Sequence, residues 1–327
     1  YLRVGGFDTA GLRRGEMAEF ILYKRNMVNE LMSKLEVGAD KGSGGIEAEG
    51  PPGAGVSSTI WAWVLSYAQS KSQKKLLWVH LIMKSEVCNV VSIVDGAMTS
   101  ATFGSLNELK ASIEGTKYDV IVLDGFANDN RMAVTNFWVH RTSDTFMVLV
   151  TTESIAHNLQ DLKFLGMELT DYFAWTLDEY RAAVTDDDFY NSVANVLGGP
   201  ENADLATRVA LVEKKEYFAG MSARWMFAWT TDEVKDEIKT YAPLCGRLNN
   251  LNSEMYGGAE SQIAARQLMM KYATNQSFIV SKRALRELIF CVEEGSPDAA
   301  LREAYCIAED NKSPRGWVFE LDFRNFV

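Results

Sequence analysis

The stretch that decides the fold is Gly50-Pro-Pro-Gly-Ala-Gly-Val-Ser-Ser58. It follows a short predicted strand at 46–48 and precedes a segment with helical periodicity at 59–69. A strand, a glycine-rich loop and a helix in this order favour a phosphate-binding loop, in which backbone N–H groups at the helix start surround phosphate oxygens. The predicted nucleotide-binding residues are Gly50, Gly53, Ala54, Gly55, Val56, Ser57 and Ser58.

The loop departs from the usual pattern G-x-x-x-x-G-K-[ST] at one position. Val56 stands where a lysine normally contacts the β- and γ-phosphates. Ser57 keeps the hydroxyl group that contacts Mg²⁺ in such loops. We therefore expect weak binding of Mg-ATP or Mg-GTP, with weak or no hydrolysis. A glycine–proline turn that only links a strand to a helix is the alternative.

A second motif follows about seventy residues later, after a region in which predicted strands and helices alternate. The apolar segment 118–124 ends at Asp124, which with Ser57 is the predicted pair for holding Mg²⁺. Gly125 follows, where many P-loop NTPases carry a catalytic glutamate. Asp124 is thus a candidate catalytic residue, while the base is missing from its usual place.

Three further residues are candidates for contacts with the γ-phosphate. Thr151 and Thr152 end the next predicted strand, at 145–152, although they could equally cap the following helix. Arg224 lies at the start of a predicted helix, and its planar guanidinium group suits phosphate oxygens. A surface arginine beside the apolar residues 225–227 is the alternative for Arg224.

The remaining pattern predicts an α/β fold. Near-continuous apolar runs at 76–83, 90–94, 118–124 and 145–152 alternate with helical stretches at 105–113 and 131–140. Such alternation indicates a parallel sheet with helices on both faces. The predicted organisation is an N-terminal helical segment (1–40), a P-loop domain (41–175, with a last strand at 173–175), a mostly helical lid domain (176–312) and the start of a further strand or domain (313–327).

Composition limits the partners. The net charge of −11 opposes non-specific binding to nucleic acid and to anionic membranes, so neither is an expected partner. The four cysteines form no C-x-x-C pair and the chain has only three histidines, so we expect no zinc site. No apolar stretch is long enough to predict a membrane span.

Seven segments together resemble the NTPase domain of the Crinkler effectors of oomycetes and fungi, which are related to the retrotransposon hot spot proteins of trypanosomes. They are GPPGAGVSS (50–58), WAW (61–63), LLWVHL (76–81), YDVIVLDG (118–125), FAWTLDEY (173–180), YFAGMSARWMF (217–227) and GWVFELDF (316–323). The resemblance implies a P-loop domain of the STAND or AAA+ kind. It also implies a secreted virulence protein that enters host cells and acts on host proteins in the nucleus.

Three functional interpretations remain open at this point. The first is an effector with a degenerate nucleotide-binding domain, a pseudo-NTPase that modulates host defence or cell death. The second is an active ATP or GTP hydrolase in which another cation, such as Arg224, replaces the missing lysine. The third is an interaction scaffold that keeps the fold and binds no nucleotide.

Overall fold

The computed structural model describes residues 1–6, 10, 12, 19–82, 86–127, 130–139, 144–151, 166–245, 267–273 and 276–290. The chain divides into two compact units. The first consists of Tyr1–Gly50 and Gly55–Tyr172, and the second of Pro51–Ala54 and Phe173–Val327.

The first unit is built on a seven-stranded sheet in the described part of the chain. Its elements are β1 (Leu2–Gly5), β2 (Glu19–Leu22), α1 (Asn26–Lys41), β3 (Gly45–Glu49), α2 (Val56–Ser70), β4 (Leu76–Leu81), β5 (Cys88–Val94), β6 (Ala97–Phe103), α3 (Leu106–Ile113), β7 (Val120–Phe126), α4 (Arg131–Val139), β8 (Phe146–Thr151) and β9 (Met167–Asp171). The strand order is β6-β5-β4-β7-β8-β3-β9. The five strands from β4 to β9 in this order are parallel, which confirms the predicted α/β fold.

Helices cover both faces of this sheet. Since successive residues of a strand point to opposite faces, β4 shows which helix lies on which side. Trp78 of β4 makes an edge-to-face ring contact with Trp61 of α2, at a centroid distance of 5.2 Å. Its neighbours Leu77 and Val79 join a buried cluster that includes Leu109 of α3. The even-numbered positions of β4 therefore face α2, which is the helix that follows the predicted phosphate-binding loop.

Three details differ from the sequence prediction. The helix predicted at 1–40 is wrong for 2–5 and 19–22, which form the antiparallel pair β1–β2; only Asn26–Lys41 is helical. Pairing between the two segments satisfies their backbone groups, and this long-range contact overrides the local spacing of apolar residues. The strand predicted at 173–175 is also wrong. The sheet ends with β9, and the backbone N–H of Trp175 donates to the Met221 carbonyl instead of to a neighbouring strand of the sheet.

The third difference is a hairpin at one edge of the sheet. β5 runs antiparallel to β4, and β6 pairs with β5. The two strands are joined at Asp95 and Gly96, both with positive φ (50° and 75°), as a tight two-residue hairpin turn requires. β6 has exposed residues on both faces, from Ala97 to Thr102. It therefore carries no buried apolar face that sequence reasoning could detect.

The second unit is mostly helical, as predicted. It contains α5 (Leu177–Ala183), α6 (Asp187–Leu197), α7 (Leu205–Ala219), α8 (Ala223–Phe227), α9 (Thr231–Tyr241), a short 3-10 helix (Ala242–Cys245), β10 (Met269–Ala273), β11 (Gln276–Ile279) and α10 (Lys282–Phe290). Trp175, Phe189 and Phe227 form an aromatic core, with Phe227 edge-on to both other rings. The antiparallel pair β10–β11 was not predicted. The strand predicted within 313–327 lies outside the described residues.

Candidate nucleotide-binding site

The predicted strand, loop and helix are present. β3 ends at Glu49, α2 begins at Val56, and Gly55 is the N-cap residue with φ +100°. The Gly50 N–H donates to the Thr151 carbonyl, which ties the start of the loop to the end of β8. Val56 is 6% exposed. Its Cγ2 atom lies 2.7 Å from the position that a Cβ on Gly50 would occupy, so an apolar side chain packs where the sequence pattern expects a cation.

The first unit brings Ser57 and Asp124 together. The Ser57 hydroxyl donates to Oδ1 of Asp124 at 2.7 Å. Ser57 lies in the first turn of α2, and Asp124 lies near the end of β7 and is 3% exposed. The carboxyl ends of parallel strands are where ligands bind in such sheets. The adjacency predicted from the sequence is therefore confirmed, while the catalytic and metal-binding roles of both residues stay predictions.

His80 completes this cluster and was missed by sequence reasoning. Its Nδ1 atom lies 2.6 Å from Oδ2 of Asp124. The contact follows from strand register, since His80 of β4 and Asp124 of β7 are paired on adjacent parallel strands. Burial lowers the pKa of His80, but the hydrogen bond and the negative charge of Asp124 outweigh it and raise the pKa above its ordinary value. A polar residue near the end of the apolar segment 76–81 was the available signal.

The residues around Asp124 do not fit Mg²⁺ as they stand. Mg²⁺ in nucleotide sites usually keeps several waters and is bound through one or two carboxylates together with the substrate phosphates. Here both Asp124 oxygens already accept short hydrogen bonds, one from Ser57 and one from His80. Within the described ranges, His, Cys, Asp and Glu side chains form no group of three or more that could hold a metal ion.

No helix of the described residues is long and apolar enough to cross a membrane.

Gly125 cannot be replaced by a glutamate without a shift of the backbone. Its φ is +88°, and the strand register shifts between Asp124 and Phe126. A Cβ atom at Gly125 would lie 2.6 Å from the Leu81 carbonyl oxygen, which is closer than real Cβ atoms approach. A side chain at Gly125 is therefore disfavoured by the way the ends of β4 and β7 lie against each other.

The strand that follows contributes Thr151, one of the two predicted threonines. The Thr151 hydroxyl donates to the Phe126 carbonyl at 3.0 Å and is buried, which fastens the end of β8 to the end of β7. The candidate Thr152 lies outside the described residues. A contact of Thr152 with a γ-phosphate therefore stays a prediction.

In the second unit, the loop tip Pro51–Ala54 is bound by groups from two other segments. The Trp175 indole N–H donates to the Ala54 carbonyl at 2.9 Å, and the Arg224 backbone N–H donates to the Gly53 carbonyl at 3.3 Å. A Cβ on Gly53, whose φ is +86°, would lie 2.3 Å from the Ser222 Oγ atom. Sequence reasoning had selected Arg224 but neither Trp175 nor Ser222.

The charge of Arg224 acts on two neighbours in the same unit, Glu237 and Tyr241. Burial raises the pKa of Glu237, while a hydrogen bond from Tyr241 and the positive charge of Arg224 partly offset this effect. The Arg224 guanidinium group therefore has an acidic side chain within its electrostatic range. Whether it also reaches a nucleotide phosphate stays a prediction.

The fold and site together define a class of protein. The loop between β3 and α2, an aspartate near the end of β7, and β8 inserted between β3 and β7 are the arrangement of an α/β fold of the P-loop type.

Solved structures with some likeness to this chain include the following three. A RuvB variant from Thermotoga maritima is 13% identical, with coverage of 83% of this chain and 96% of that one and a TM-score of 0.39. A Walker-type ATPase from Pyrococcus abyssi is 10% identical (82% and 96%, TM-score 0.40). AMPPCP-bound DnaA from Aquifex aeolicus is 11% identical (94% and 95%, TM-score 0.34). No protein-family model and no curated protein matches this chain.

Proposed function

We propose that the P-loop domain binds ATP or GTP weakly and hydrolyses it slowly or not at all, as a pseudo-NTPase. The observation that carries the proposal is the hydrogen bond between Ser57, at the start of α2, and Asp124. It places the hydroxyl and the carboxylate of the two P-loop motifs side by side at the loop. The N-terminus of α2 adds backbone N–H groups and a positive dipole, which attract phosphate without any lysine.

Two departures limit this site to weak binding and slow chemistry. Val56 removes a charge-assisted hydrogen bond to the phosphates, which contributes about 1.5–3 kcal/mol in proteins. Gly125 leaves the attacking water without its usual base, and its backbone geometry excludes a side chain at that position. The same domain would therefore keep a nucleotide bound more readily than it would turn it over.

Restoring the lysine tests the binding proposal. We expect Val56→Lys to tighten ATP binding by about tenfold to a hundredfold, because each 1.4 kcal/mol corresponds to about a factor of ten. Val56→Met, of similar length and without charge, is the matched control and should not tighten binding. Isothermal calorimetry with ATP in Mg²⁺ measures all three affinities, and a phosphate-release assay should find no fast turnover in any of them.

Two other results would contradict the proposal. If wild type already binds at micromolar levels and the lysine changes nothing, another cation has replaced it. Arg224→Gln would then be the first variant to examine, since the Arg224 backbone contacts the loop tip within the second unit. If neither protein binds nucleotide, the chain is an interaction scaffold that has kept only the fold.

We further propose that the protein is a secreted, host-directed effector that engages host proteins in the nucleus and modulates defence or cell death. The support is the series of seven segments that resemble the Crinkler NTPase domain, from the loop at 50–58 to the segment 316–323. Expressed with a fluorescent tag in plant cells, the full-length protein should accumulate in nuclei. Exclusion of the intact fusion from nuclei, confirmed by its size on an immunoblot, would count against this proposal.

A further inference from the structure

The carboxylate of Asp124 is held from two sides by this chain's own side chains. Ser57 donates to Oδ1 at 2.7 Å and His80 Nδ1 lies 2.6 Å from Oδ2. The Asp124 side chain is 4% exposed, and that of His80 is 23% exposed. The imidazole is therefore the more accessible of the two side chains. Its N–H group uses one of the two lone pairs with which Oδ2 can accept hydrogen bonds.

The position of His80 is fixed by the sheet rather than by a loop. Residues 76–80 of β4 pair in parallel register with residues 120–124 of β7, so His80 and Asp124 are direct cross-strand neighbours. Their side chains lie on the same sheet face as Trp78, which packs against α2. Removing His80 from Asp124 would therefore need a change of its side-chain rotamer, because strand pairing holds its backbone.

We propose that His80 takes the place of Mg²⁺ as the partner of Asp124, so that nucleotide binds to this domain without a requirement for a divalent metal. The inference rests on the proposed nucleotide binding and specifies its metal dependence. An uncompensated carboxylate beside a triphosphate repels it, and a metal ion normally bridges the two. Here the N–H group of His80 satisfies Asp124, and the backbone N–H groups of the loop and of α2 bind phosphate oxygens directly.

Calorimetry with ATP in excess Mg²⁺ and in EDTA tests this inference on three proteins. Wild type should bind ATP with affinities that agree within about threefold in the two buffers. His80→Leu removes the donor, and ATP should then bind about tenfold or more tightly in Mg²⁺ than in EDTA, as expected for loss of one charge-assisted hydrogen bond. His80→Asn keeps an N–H group close to the position of Nδ1 and should behave like wild type.

The ratio of the ATP affinity in Mg²⁺ to that in EDTA distinguishes a positioning role of His80 from a merely structural one. A structural role would lower the stability of both variants, as measured by thermal unfolding, without changing the ratio between Mg²⁺ and EDTA. Wild-type binding that is tenfold tighter in Mg²⁺ overturns the inference directly, even if His80→Leu fails to fold. An unchanged ratio in a folded His80→Leu protein would overturn it as well.

Failure of the proposed function is distinguishable from failure of this inference. If wild type binds ATP in neither buffer, the binding proposal falls, and the same comparison is made between Val56→Lys and the double variant Val56→Lys/His80→Leu. Equal affinities in both buffers for Val56→Lys, with a preference for Mg²⁺ in the double variant, would still support the role of His80. If Val56→Lys binds no nucleotide either, both proposals are wrong.

Discussion

Gly125 shows how one residue limits the chemistry of this site. It directly follows Asp124, at the point where the register between β7 and β8 shifts. Its φ of +88° is a conformation that side chains rarely adopt, and the Leu81 carbonyl fills the space in which a Cβ atom would lie. A glutamate at this position would therefore require the ends of β4 and β7 to move.

This geometry gives a prediction for Gly125→Glu. We expect the free energy of unfolding to fall by about 2–5 kcal/mol, from unfavourable backbone conformation and steric overlap together. ATP hydrolysis should not appear, because the carboxylate can be accommodated only if the strand ends move. Denaturant unfolding and phosphate release measure the two effects.

A pair of alanine substitutions separates the two causes. Gly96 also has a positive φ, +75°, but no atom lies within 4 Å of the position of its Cβ. Gly96→Ala should therefore carry the conformational cost alone, while Gly125→Ala adds the overlap with Leu81. Equal losses of stability in the two variants would show that the overlap contributes nothing and would contradict this explanation of Gly125.

Local chemistry made some elements of this chain predictable. The loop at 50–58 and its flanking strand and helix follow from glycine spacing and apolar periodicity. Thr176 with Glu179 and Thr230 with Glu233 have the sequence spacing of a capping box, and the boxes at the starts of α5 and α9 are both present with reciprocal hydrogen bonds. In each of these cases the deciding groups lie within a few residues of one another.

Other elements depend on partners distant in sequence and could not be predicted. β1 and β2 have short apolar patterns that fit a helix equally well, and they become strands because they pair with each other. β6 exposes both of its faces, so no alternation of apolar and polar residues marks it as a strand. The contact between His80 and Asp124 likewise arises from the register of β4 with β7.

At the scale of the whole molecule, the chain combines a P-loop unit with a mostly helical second unit, and the loop tip Pro51–Ala54 belongs by its contacts to the second. Trp175 and Arg224 bind backbone carbonyls of that tip. The net charge of −11 gives no general attraction for phosphate, so the proposed binding would depend on local backbone N–H groups at the start of α2.

The most direct test of this account is the nucleotide content of the purified wild-type chain. The protein is denatured after rapid desalting, and the released small molecules are identified and quantified by mass spectrometry, with Val56→Lys processed in parallel. The account predicts ATP, GTP or their diphosphates released from wild type in an amount well below one per chain, as expected for weak binding, and more from Val56→Lys. Two results together would contradict it: no nucleotide released from wild type, and no binding in calorimetry with ATP or GTP at about 1 mM. Nucleotide at that concentration detects even dissociation constants in the millimolar range.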